Sequence, residues 1–295
     1  MNLLVVGGSG FIGSWVVKAA NKKGHRVTVL DINGNSLGVD TIIKDITDRD
    51  MADQDFRKYD IVILEAAITS NVEFLRDPVR CFKVNCIGLV NVLEACRKSN
   101  VKRVVFISSS SVYGDTTGAS REDEIIKDTG NMYATSKIVG ERIFNSYVAN
   151  GYIKGPVIRY FNVYGVGEND KGDYKSIISL FLEAIKRDGG VKVYGDGSQR
   201  RDFIHVTDAA EITLRLAEEY DGLFNVGTGS PISWNEILAI FKKKGLKFGV
   251  ENVPNPLKSY QLFTRADIKK IKSLGLAPKM PMEKGMDELI EFYGL

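Results

Sequence analysis

The chain has 295 residues, 44% of them apolar and 26% charged, the balance of a globular protein long enough for about two domains. Forty basic residues against 37 acidic ones leave a formal charge of +3, too small and too evenly spread for nucleic acid or a membrane surface to be the expected partner. The opening MNLLVVGG carries no basic n-region or cleavage site. No run approaches the ~18 apolar residues of a membrane span, so a cytoplasmic protein is expected. Cys81, Cys86 and Cys96 match neither a zinc pattern nor a redox pair and read as small buried hydrophobes, and no metal site is expected.

In chain order, β-rich runs at 3–6, 26–30, 61–64, 104–107 and 157–160 read as strands buried on both faces. Helical spacing separates them. Ile12, Trp15, Val16, Ala19 and Ala20 lie on one face, with Gly24 as a stop; longer helices are expected over 80–99 and 132–150. Alternation of this kind predicts an α/β fold, a Rossmann-type doubly wound parallel sheet. After Gly165 the regularity ends. A Gly- and charge-rich stretch precedes a helix near 174–186; 203–206 and 223–226 read as strands rejoining the first domain. The expected division is a dinucleotide-binding domain over 1–165, rejoined by 201–227, and a smaller C-terminal substrate lobe over 166–200 and 228–295.

The first strand runs into Gly7-Gly8-Ser9-Gly10-Phe11-Ile12-Gly13, and Asp31 ends the second strand. Glycines here let the backbone approach a pyrophosphate, which then faces the N–H groups of a helix start. The Asp31 carboxylate suits ribose hydroxyls, and no Arg or Lys follows it before Val39 to take a 2′-phosphate, so NAD is expected over NADP. Asp45 and Ile46, after the third strand, suit an adenine contact. Tyr133 and Lys137, four apart at a helix start, project from one face, and the strand at 104–107 ends in four serines, Ser108 to Ser111. A tyrosine must fall roughly 3 pH units, about 4 kcal/mol, to act as a base near neutrality; a lysine cation one turn away and the positive ring of NAD⁺ supply that direction.

With GGSGFIG at 7–13, VNCIGLVNVLEAC at 84–96, SSSSVYG at 108–114, YATSK at 133–137, RYFNVYG at 159–165 and RRDFIHVTDAA at 200–210, the chain resembles the nucleotide-sugar epimerase/dehydratase branch of the extended short-chain dehydrogenase/reductases over essentially its whole length. The resemblance implies Ser109, Tyr133 and Lys137 as catalytic residues. It implies NAD contacts from Gly7, Gly10, Phe11, Ile12, Gly13, Asp31, Asp45, Ile46, Ala66, Ala67, Tyr133, Lys137 and Tyr160. Substrate contacts are implied for Ser109, Ser110, Asn162, Arg201 and, for the second phosphate-binding residue, Lys258 or Arg265. Ser110 and Ser111 stand where 4,6-dehydratases of the family carry an Asp-Glu pair, which disfavours elimination. Glu65 stands where a histidine often precedes the Ala-Ala pair, and the sequence offers no account of it. His205 reads as a packed structural residue.

The activity so implied is epimerisation of a nucleotide-diphospho-sugar, UDP-glucose/UDP-galactose at C4 through a 4-keto sugar. Alternatives are another nucleotide-sugar epimerase, a net NAD-dependent oxidoreductase, or a dinucleotide-binding protein without chemistry. The family also implies a homodimer built from the helices at 80–99 and 132–150.

Overall fold

A computed structural model describes the whole chain except residues 127–128, 169–174 and 255–260. Contacts divide it into two units, the first made of Met1–Gly114, Ile125–Tyr160 and Ala210–Phe224. Its strands β1 (Asn2–Val6), β2 (Arg26–Asp31), β3 (Asp40–Ile43), β4 (Ile61–Leu64), β5 (Arg103–Ser109) and β6 (Pro156–Tyr160) pair in parallel, with Gly222–Val226 at the edge beside β6. The order, from that edge, is β6-β5-β4-β1-β2-β3, the doubly wound Rossmann-like arrangement whose direction of winding changes between β1 and β4. Leu3 to Val6 are wholly buried because β1 lies mid-sheet with both faces covered.

Between the strands run α1 (Phe11–Lys22), α2 (Asn71–Arg76), α3 (Pro78–Phe82), α4 (Leu89–Lys98) and α5 (Met132–Ala149). The helix expected over 80–99 is interrupted: Lys83–Gly88 is a π-helical segment between α3 and α4. At its end Gly88 lies against Ile46, where a Cβ would come within 2.5 Å of the Ile46 side chain. On one face of the sheet Leu4, Val6, Leu64 and Phe106 pack with Leu89, Val92, Leu93 and Phe144 of α4 and α5 in one core.

The second unit comprises Asp115–Glu124, Phe161–Ala209 and Asn225–Leu295. Its pairings are short: Asn162–Tyr164 with Phe203–His205, Arg200–Arg201 with Ile232–Ser233, and Gly190–Tyr194 with Gly249–Val253. The sequence expectation is therefore corrected at 203–206, which pairs with 162–164 instead of rejoining the large sheet; only 223–226 does so. Residues 161–165 and 201–209, expected in the first domain, fall in this unit. The later helix is Ile177–Asp188, capped by the Ser176 hydroxyl. Its core gathers Tyr164, Phe181, Phe203, Trp234, Phe241 and Met286. Among the described residues no helix is long and apolar enough to cross a membrane.

Candidate active site

The turn after β1 is built from missing side chains. A Cβ on Gly13 would run into the Gly7 carbonyl oxygen, and one on Gly7 would lie 2.5 Å from the Ala66 nitrogen. Gly7 also sits at φ +84°, a conformation in which only glycine is unstrained. Gly10 caps α1 without any side-chain hydrogen bond, unlike α5, where the Asn131 side chain accepts from the Ala134 N–H, and the first turn of α1 carries no acidic residue. The positive end of α1 is thus left for an anion. Asp31, at the end of β2, is held by the backbone N–H groups of Ser9 and Asn33, each at 3.0 Å. Asp45 accepts from the Thr47 N–H at 2.8 Å, and Ile46 is buried. Ala66 follows β4 with its N–H on the Val6 carbonyl at 2.9 Å, and Ala67 beside it is half-buried. Phe11 is buried and Ile12 half-buried in the first turn of α1. Glycine cradle, uncapped helix and strand-end carboxylate fit a dinucleotide.

At the neighbouring strand ends, Tyr133 and Lys137 lie on one face of α5 and Ser109 closes β5. The Lys137 ammonium is buried and donates to the Ile107 carbonyl at 2.8 Å. Burial lowers its pKa to about 8, while the Glu65 carboxylate acts upward, followed by smaller contributions from the neighbouring Cys86 and Glu141. Burial pushes the Tyr133 phenol up to about 12, against a hydrogen bond from Ser109 that favours its ionised form. Without cofactor the tyrosine is therefore driven away from the base form, and the further fall has to come from positive charge brought beside it. Ser110 is buried, and the Ser109 hydroxyl also accepts from the Ser111 N–H at 3.2 Å.

Two supports of this face were not legible as such. Asn85, in the π segment, holds both the N–H and the carbonyl of Ile68, at 2.8 and 2.9 Å, and donates to the Ser136 hydroxyl at 3.0 Å; that hydroxyl in turn donates to the Tyr133 carbonyl at 2.7 Å. Glu141, one turn beyond Lys137, receives the Arg159 guanidinium through two hydrogen bonds at 2.8 and 2.7 Å and the Ser108 hydroxyl at 2.5 Å, all buried. Tyr160 is buried, its hydroxyl shared between Thr213 at 2.6 Å and Glu65 at 3.1 Å.

Of the predicted substrate residues, Ser109 and Ser110 belong to the first unit, and Asn162, Arg201 and Arg265 to the second. Asp202, fully buried, accepts from the N–H groups of Thr228, Gly229 and Ala266, each at 2.8 Å, and so ties together the stretches around it. The Asn162 amide donates to the Asp202 carbonyl at 3.0 Å and the Thr264 hydroxyl at 3.2 Å. Arg201 is buried, with its guanidinium over the Trp234 ring and one N–H on the Arg200 carbonyl. Arg265 is exposed, its Nε on the Gly229 carbonyl at 3.0 Å. Lys258 lies outside the described residues. His205 is packed against the Tyr164 ring and pushed down to about 4 by burial, so it is neutral. Among the described residues no cluster of three or more His, Cys, Asp or Glu is placed to hold a metal ion.

Residues 3–227 match the family model of the NAD dependent epimerase/dehydratase family, and the chain belongs to that family. The UDP-glucose 4-epimerase of Thermotoga maritima, solved with UDP-glucose, is 30% identical and superposes with a TM-score of 0.92 over 100% of this chain and 99% of that one. MoeE5, solved with UDP-glucose and NAD, is 29% identical with a TM-score of 0.90 over 99% and 98%. The ADP-L-glycero-D-manno-heptose-6-epimerase of Brachyspira hyodysenteriae is 30% identical over 98% of this chain and 96% of its own length. The protein is thus an NAD-dependent enzyme of nucleotide-sugar chemistry, related to members that act on different sugars.

Proposed function

We propose that the enzyme epimerises a nucleotide-diphospho-sugar, with UDP-glucose/UDP-galactose at C4 as the substrate pair. The observation that carries the reading is Tyr133 and a buried Lys137 on one face of α5, with Ser109 closing β5, and serines at 110 and 111 where an eliminating enzyme needs an acid and a base. Tyr133, ionised, removes the proton of the sugar hydroxyl. Ser109 donates to the same oxygen and relays the proton. The Gly7–Gly13 cradle and Asp31 would hold NAD, which would supply the reversible hydride acceptance that the epimerisation requires. Arg201, Asn162 and Arg265 are assigned to the nucleotide-diphosphate end. Binding concentrated on the nonreacting end leaves the sugar free to turn.

The test is UDP-galactose supplied without added cofactor. Sustained conversion to UDP-glucose is the expected result; one equivalent of product per site, with NADH left behind, points to a net oxidoreductase instead. If neither sugar reacts, a thermal-shift panel of UDP-, GDP-, ADP- and dTDP-sugars on the NAD-loaded protein identifies the nucleotide.

We also assign a homodimer to the first unit's helices, because Leu75, Val79 and Ile87 are 71%, 79% and 53% exposed along α2, α3 and the π segment. Large apolar side chains this exposed on adjoining turns mark an association surface. Replacing Val79 and Ile87 by Asp is expected to halve the mass measured by light scattering while NAD stays bound. An unchanged mass removes this surface from consideration.

A further inference from the structure

Glu65, just past the end of β4, is left without a task by the glycine cradle and the Ser109–Tyr133–Lys137 group. Its N–H is bonded to the Val6 carbonyl at 2.8 Å, which fixes the residue just past β4. The β4–β5 register pairs Leu64 with Phe106, so Glu65 stands beside Ile107, the residue whose carbonyl receives Lys137. The carboxylate is oriented from the end of β6, two strands away: the Tyr160 hydroxyl donates to it at 3.1 Å, and that hydroxyl is itself held by fully buried Thr213 at 2.6 Å.

The other groups facing Lys137 carry little net negative charge. Glu141, on its own helix, is neutralised by Arg159. Cys86, from the π segment, is a thiol that burial holds above its ordinary range and therefore uncharged. The β5 side presents the Ile107 carbonyl and the Phe106 ring, and α2 turns its Glu73 toward Arg80. An ammonium ion buried among such neighbours tends to lose its proton unless a carboxylate stands near.

We propose that Glu65 is a positioning residue for Lys137: presented by the Tyr160–Thr213 pair, its carboxylate keeps the buried lysine protonated and drawn toward the tips of β4 and β5. Only the consequence for catalysis rests on the function proposed above; the protonation of Lys137 is measurable without a substrate. The direction follows from the charges. Burial sets the Lys137 titration near 8 with Glu65 already acting upward, so removing the Glu65 charge moves it down toward neutrality. At pH 7.5 a large fraction of the lysine then lacks the proton that Tyr133 depends on.

The experiment is a ¹³C NMR titration of Lys137 in NAD-loaded protein carrying lysine labelled at Cε, the resonance being assigned by its loss in Lys137→Arg. Glu65→Gln is expected to lower the midpoint by one pH unit or more, and Glu65→Asp to restore most of it. The alkaline limb of the kcat profile should move with the midpoint, which a purely structural role of Glu65 does not predict. Tyr160→Phe, which keeps the ring and removes only the hydroxyl that aims Glu65, should lower the midpoint by less; it serves if Glu65→Gln does not fold. An unmoved midpoint in either folded variant overturns the proposal. A moved midpoint in an enzyme that converts no UDP-hexose leaves the proposal standing and overturns the assigned substrate.

Discussion

Replacing Tyr133 by Phe is expected to lower kcat by about 10³-fold or more while the purified protein keeps its full complement of NAD. The loss is set by removal of the phenol oxygen that the proposed mechanism assigns to the sugar proton, and general bases contribute about 10²–10⁴-fold. The retention follows from what the substitution leaves alone: the Gly7–Gly13 cradle, Asp31 and the Lys137 bond to Ile107. The ring itself is kept, and with it the packing against Phe74, whose centroid is 6.0 Å away, so the melting temperature should change little. In the wild type the rate is expected to rise as the phenol ionises and to fall as Lys137 loses its proton near 8. The Phe variant's residual rate should lack the rising limb. Turnover, NAD released on denaturation and a pH profile together check this. Activity within tenfold of wild type would remove Tyr133 from the chemistry.

How much of this was visible beforehand depended on whether a residue's role is local. Gly7, Gly10 and Gly13 act through missing atoms at fixed spacing, and Tyr133 and Lys137 through one helical turn, so their relations can be read from the chain itself. The strand at 203–206 shows the opposite case. Its hydrophobic run announces a strand but not a partner, and its neighbour, Asn162–Tyr164, is a three-residue segment with no separate signal. The π segment is hidden for a related reason: widening one turn at Lys83–Gly88 leaves the apolar spacing around it nearly unchanged. Glu65 and Glu141 were illegible because their meaning lies in partners far along the chain. Glu65 is explained by Tyr160 and Lys137, and Glu141 by Arg159 and Ser108. An arginine inside the all-buried strand β6 demands some anion, but only the fold says which.

That demand makes Glu141→Ala the substitution with the largest expected effect on stability. Arg159 and Ser108 are paired across β6 and β5, and Glu141 of α5 binds both, so one carboxylate fastens the helix bearing Tyr133 and Lys137 to the two strands ending in Ser109 and Tyr160. Deleting it leaves a guanidinium with only 3% of its side chain exposed and no counter-charge. Breaking such a buried pair from one side costs about 3–5 kcal/mol, and the urea midpoint should fall accordingly. Because the bond lies one residue from Ser109 and one turn from Lys137, kcat should fall as well, although Glu141 is not expected to touch the substrate. Replacing both partners, Glu141→Leu with Arg159→Met, removes the stranded charge and should recover most of the stability. Recovery should stop short of wild type, because the buried Ser108 hydroxyl then has no acceptor, a deficit of about 1–3 kcal/mol. A single variant unfolding at the wild-type midpoint would show that the pair carries none of this load.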